Sequence, residues 1–158
     1  MTMNVQYVNP FLEATHDVIK ETSGAEMERV YMTQKQVPYP THDVTVILGL
    51  TGELSGQVIV SLEQQLAILL ANKMIATMAG MEMNLPEFDE MCKSAINEMG
   101  NMICGRAIAN IDLDGLNISP PMLIEGKGAQ ISNTGMVNLA VGFKLGEAEL
   151  EVIIAIKE

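Results

Sequence analysis

The chain has 158 residues, of which 48% are hydrophobic and 18% charged. That is enough apolar material for one buried core, so a single domain over residues 1–158 is expected. Nine Lys plus Arg against 20 Asp plus Glu leave a formal charge of −11, a field that repels phosphate backbones and anionic head groups, so nucleic acid and membrane surfaces make poor partners. No apolar run approaches the ~20 residues needed to span a bilayer, and the start MTMNVQYVNP has neither a basic segment nor an apolar one of leader type; a cytoplasmic protein is expected.

The first predicted element is a helix over 9–22, with Asn9 as its cap and Pro10 in its first turn. Phe11, Leu12, Thr15, Val18 and Ile19 recur there at helical spacing. An extra strand is expected around 27–36. VTVILGL at 44–50 and SGQVIVSL at 55–62 flank Thr51-Gly52-Glu53, which reads as an antiparallel hairpin. A second helix is predicted over 61–80, with Leu62, Leu66, Leu69, Leu70, Met74 and Met78 on its apolar face and Gly80 as its stop. The longest periodic run, 86 to about 112, predicts a third helix whose Phe88, Met91, Cys92, Ala95, Ile96, Met99, Met102 and Ile103 share one face. Three more strands are expected in the Gly-punctuated remainder. The strand–turn–strand segments at 44–62 and 136–157 resemble each other, and each follows a helix, which points to a pseudo-duplicated α+β unit with its long helices packed on one antiparallel sheet.

Cys92 and Cys104 lie on the same predicted helix, roughly 18 Å apart along its axis, and cannot bridge each other. They read as reduced packing thiols. With only His16 and His42 besides, no metal-ligand set is present in the sequence pattern.

One face of the third helix is not explained by core packing. At about 100° per residue, Glu98 falls roughly 40° from Ser94, Asn101 roughly −20° and Gly105 roughly 20°, while the apolar set centres on the opposite side. These four make a narrow polar stripe that faces solvent or a partner. A mid-helix glycine costs about 1 kcal/mol relative to alanine, so Gly105 marks either a tolerated glycine on a solvated face or a point of close approach. The stripe offers one anion and one neutral amide, neither of which alone makes a covalent nucleophile. Such groups suit a site that completes another protein's active centre.

The segment SAINEMGNMICGRA at 94–107 resembles the Ser/Asp-x-x-x-Glu-x-x-Asn-x-x-x-Gly signature of the CheC/CheX/FliY phosphatases of bacterial chemotaxis, and Ser94, Glu98, Asn101 and Gly105 all match. NPFLEA at 9–14 and LTGELSGQVIVSL at 50–62 are similar to that family's first helix and to the hairpin before its middle helix. Members of the CheC type carry the motif twice, whereas the first helix here has Asn9, Glu13 and then His16 where the amide would stand. The resemblance therefore implies one active helix, the CheX-like condition. It further implies a phosphatase for the aspartyl phosphate of a CheY-like response regulator, with Asn101 placing the attacking water and Glu98 pairing with the regulator's active-site lysine. Ser94 and Gly105 would contact the partner. No cofactor is implied for this chain, Mg2+ belonging to the regulator, and a homodimer with sheets joined across the interface is expected.

Two other classes stay open at this point: a module that docks on a regulator or a flagellar protein without hydrolysis, and an α+β scaffold with an unrelated small ligand between its helices. Thirteen methionines could line such a pocket, although Met more often fills gaps in a core.

Overall fold

The computed structural model describes residues 5–157; residues 1–4, part of the start read above as lacking a leader, lie outside them. Helix α1 spans Val5–Ser23. It is followed by strands β1 (Glu28–Lys35), β2 (Tyr39–Pro40), β3 (Val44–Thr51) and β4 (Gly56–Leu62). Helices α2 (Gln64–Ala79) and α3 (Glu90–Ala109) come next, and then β5 (Asn117–Ile118), β6 (Met122–Glu125), β7 (Gln130–Ile131), β8 (Met136–Leu145) and β9 (Ala148–Lys157).

The main sheet is antiparallel and runs β1-β8-β9-β4-β3, with β5 and β6 both paired to the far side of β3. Its order explains the similarity of the two halves. One half reads α1-β1-β3-β4 and the other α3-β6-β8-β9; each lends its first strand to the other's hairpin, and β4 and β9 meet in the middle, Ile59 opposite Ile153. All three helices pack on one face, where Val44, Val46, Leu48, Val58, Val60, Val152 and Ile154 meet the apolar sides of the helices. Full burial of such a side chain contributes about 1.5–3 kcal/mol.

Several local expectations are corrected. Helix α1 is not capped at Asn9; it already runs from Val5, and Pro10 lies inside it. Proline there removes a single helix hydrogen bond, while Val8, Phe11 and Leu12 are buried at helical spacing. Leu62 ends β4 rather than opening α2. Leu69, Met78 and Met91, expected on apolar faces, are exposed, because each helix covers the sheet with only part of its circumference. Helix α3 starts at Glu90, where Asp89 caps it by accepting from the Cys92 N–H at 2.9 Å. The preceding loop is tied to α2 by Asn72, which accepts from Leu85 N–H at 2.7 Å and donates to Leu85 C=O at 2.9 Å. The C-terminal part holds five strands rather than three, because β5 and β7 are two-residue pairings.

The opposite face of the sheet carries a second layer that periodicity did not reveal. The β2–β7 pair covers a small cluster of Tyr39, Ile59, Ala140 and Ile153. Beside it, Tyr31 crosses over β8 to donate to the buried Glu151, which Lys35 also approaches at 3.2 Å. Gly142 makes that crossing possible, since a Cβ there would overlap the Tyr31 ring.

Both cysteines are buried and free. Burial pushes the Cys104 thiol up to about 12 and also raises Cys92, first by desolvation and then by its contact with Asp89. A thiolate is the reactive form. A thiol reagent at pH 8 is therefore expected to label neither cysteine in the native protein and both after unfolding; rapid native labelling would contradict this packing.

Candidate functional site

Helix α3 buries Cys92, Ile96, Met99, Gly100, Ile103, Cys104 and Ala107. The i, i+4, i+7 spacing of this set leaves the opposite face outward. On that face lie the four residues singled out in the sequence: Ser94 and Glu98 are exposed, and Asn101 and Gly105 are half-buried. The structure brings all four together along about three turns of one helix.

The two glycines of α3 behave differently. A Cβ on Gly100 would lie 3.0 Å from Val46 Cγ1 and 3.5 Å from Leu48 Cδ1, so this glycine lets the helix settle against β3. A Cβ on Gly105 would meet nothing within 4 Å. Folding thus accounts for the first and not for the second. Gly105→Ala is expected to stabilise the free protein by about 0.5–1 kcal/mol, whereas Gly100→Ala should gain less, because there Val46 must give by a few tenths of an ångström. A fall in midpoint for Gly105→Ala would show a packing role for that position.

Both cations of α3 lie beside the stripe, and only the Glu98 carboxylate lies on it. At the start of α3, Lys93 bridges Glu90 and Glu125 of β6, both at 3.1 Å. At its end, Arg106 forms a two-pronged pair with Glu21 of α1, at 3.0 and 2.7 Å. The Arg106 guanidinium holds the Glu21 carboxyl below the usual carboxylate range. Both cations of the helix are thereby committed within the chain and tie it to its neighbours. The side chains of Ser94, Glu98 and Asn101 make no hydrogen bond or ion pair with the described residues. One fixed anion and one free carboxamide are left pointing outward on a helix anchored from both flanks.

The corresponding face of α1 is built otherwise. Glu13 is exposed, but His16 is half-buried, with Nδ1 3.1 Å from Asp17 Oδ1 and Nε2 3.8 Å from Glu26 Oε1. Its ring lies between two carboxylates and offers no amide. Sequence reasoning missed the Lys93–Glu125 tie, for which Glu90 at i−3 was the only local signal, and it passed over Asn97, on the rim of the stripe.

The family model for the chemotaxis phosphatase CheX matches residues 44–144. The CheY-P phosphatase CheX of Thermotoga maritima is 28% identical over 138 residues, 85% of each chain. Among solved structures, the chain is similar to the CheX of a CheX-CheY-BeF3-Mg2+ complex from Borrelia burgdorferi, at 30% identity and a TM-score of 0.78 over 96% of this chain and 98% of that one. A CheC-like superfamily protein from a Shewanella species shares the fold at a TM-score of 0.85 and 22% identity, over 99% of this chain and all of the other. Since the family model takes in the central hairpin, both later helices and most of β8, well over half the sequence, this chain belongs to the chemotaxis phosphatase CheX family.

Proposed function

We propose that the chain hydrolyses the aspartyl phosphate of a CheY-like response regulator and so ends a chemotaxis or other two-component signal. The observation that carries this reading is the unpartnered Glu98 and Asn101 pair on the outward face of α3, in a chain of the CheX family. In this scheme α3 lies over the regulator's phosphorylation pocket. Asn101 holds a water in line with the phosphorus; the water oxygen bonds to phosphorus, the bond to the aspartyl oxygen breaks, and the carboxylate leaves as inorganic phosphate forms. The reaction needs mainly position, because each 1.36 kcal/mol of barrier lowering is about tenfold in rate.

Glu98 pairs with a lysine of the regulator and sets the register of the two proteins. Ser94, one turn earlier, contacts the partner's edge, and Gly105 lets its loops come close. In this scheme the magnesium ion is the regulator's, and the Borrelia complex to which this chain is similar includes Mg2+. No helix among the described residues is long and apolar enough to cross a membrane, and we place the reaction in the cytoplasm. Strand β1, an edge of the sheet with Val30 and Met32 exposed, would join two copies in a homodimer.

The test is the lifetime of acyl phosphate on each receiver domain of the same genome, with and without this protein. A shortened lifetime on at least one receiver, at substoichiometric amounts of the chain, is expected. Association without any change in lifetime would establish the docking module instead, and neither effect would refute both.

A further inference from the structure

Among the described residues, one buried side-chain oxygen or nitrogen lacks a hydrogen-bond partner, and it is Oδ1 of Asn97. The Nδ2 of the same amide makes no hydrogen bond with the described residues either. Asn97 lies on α3 directly before Glu98 and one turn before Asn101. On the helix wheel it falls roughly −60° from Ser94, between Asn101 and Lys93, whose ammonium pairs with Glu125 of β6. It is therefore the rim residue of the stripe on the β6 side, half-buried where Glu98 is exposed.

An enclosed carbonyl without a donor costs free energy in the folded state, and an apolar side chain of similar shape would avoid that cost. Elsewhere this chain satisfies such groups. Asn72, half-buried on α2, makes three hydrogen bonds to main-chain atoms of Ile68 and Leu85. Asn97 gains nothing comparable within its own fold. Rotation about its last torsion exchanges oxygen and nitrogen at almost the same shape, and no hydrogen bond opposes it. The outer end of the amide can therefore offer either a donor or an acceptor.

We infer that Asn97 is a docking residue, the outer end of its carboxamide bonding a main-chain group on the rim of the regulator's phosphorylation pocket. This rests on the phosphatase reading given above and deepens it. Glu98 supplies attraction through charge and Asn101 acts on water; Asn97 adds a neutral contact whose polarity adapts to the regulator it meets. A contact of this kind discriminates among regulators by rim geometry rather than by charge.

The test uses the full chain with Asn97→Ala and Asn97→Leu. For the regulator whose acyl phosphate the unmodified protein removes, KM should rise about three- to tenfold, the range expected for one neutral hydrogen bond, with kcat within about twofold. Titration against the same regulator loaded with beryllofluoride and magnesium should show a matching loss of affinity. The thermal midpoint of Asn97→Leu should be equal to or above that of the unmodified chain. Unchanged KM and affinity would overturn the inference and leave the phosphatase reading standing. A lowered midpoint with unchanged KM would show a structural residue instead. An unmodified chain that neither binds nor dephosphorylates any receiver would remove the reading and the inference together.

Discussion

Asn101→Ala is expected to reduce dephosphorylation of the regulator to the rate at which its acyl phosphate decays unaided, a loss of about a hundredfold or more, the range set by positioning a reactant. Affinity should change little, because the amide acts on water and adds little to the docking surface. Asn101 is half-buried and makes no bond within the described residues, so its removal leaves no orphaned partner and the fold should persist. Asn101→Asp provides a control of the same shape. It places an anion facing the phosphoryl group and should be inactive through repulsion as well as through the lost amide. The measurement is phosphate release from the preloaded regulator, together with a titration for binding. Turnover of Asn101→Ala near the unmodified level would end the assignment.

Substitution of Glu98 should act on the other side of the balance, on association. In the free chain Glu98 is exposed and unpaired, so stability of the isolated protein should be almost unaffected. In the docked state the partner's lysine would lose its counter-ion while partly removed from water, which costs about 2 kcal/mol or more, roughly thirtyfold in Kd. Glu98→Lys should be worse than Glu98→Ala, since repulsion is added to loss. Unchanged affinity in both variants would refute the ion pair. Gly105→Leu completes the set, because open space around that position allows the larger side chain to fold while it obstructs the approach of a partner.

Much of this site is legible in the sequence. Helical period is a local property, so Cys92, Ile96, Met99 and Ile103 declared the buried side of α3, and Ser94, Glu98, Asn101 and Gly105 were left on the other. Gly80 stopped α2 in a left-handed conformation at φ 70°, as a glycine at that place should. The hairpin of β3 and β4 followed from two alternating runs around one turn. Boundaries fared worse where a side chain from elsewhere decided them: Asn72 of α2 pins Leu85, and nothing in the run 86–112 records that contact.

By itself the sequence determined which residues share the outward face of α3 and that this face bears an anion and a neutral amide, since both depend on spacing along a few consecutive turns; the likeness of 44–62 to 136–157 pointed to a repeated plan without fixing it. Tertiary structure alone decided that the two halves exchange their first strands, so that β1 pairs with β8 and β6 with β3. It alone separated Gly100, which meets Val46, from Gly105, which meets nothing, and committed Lys93 and Arg106 to Glu125 and Glu21. It also left the Asn97 carbonyl without a donor. The physical reason is common to all of these. Each depends on atoms tens of residues apart that meet only when the sheet and helices have closed around one core, and no local period encodes which of them will meet.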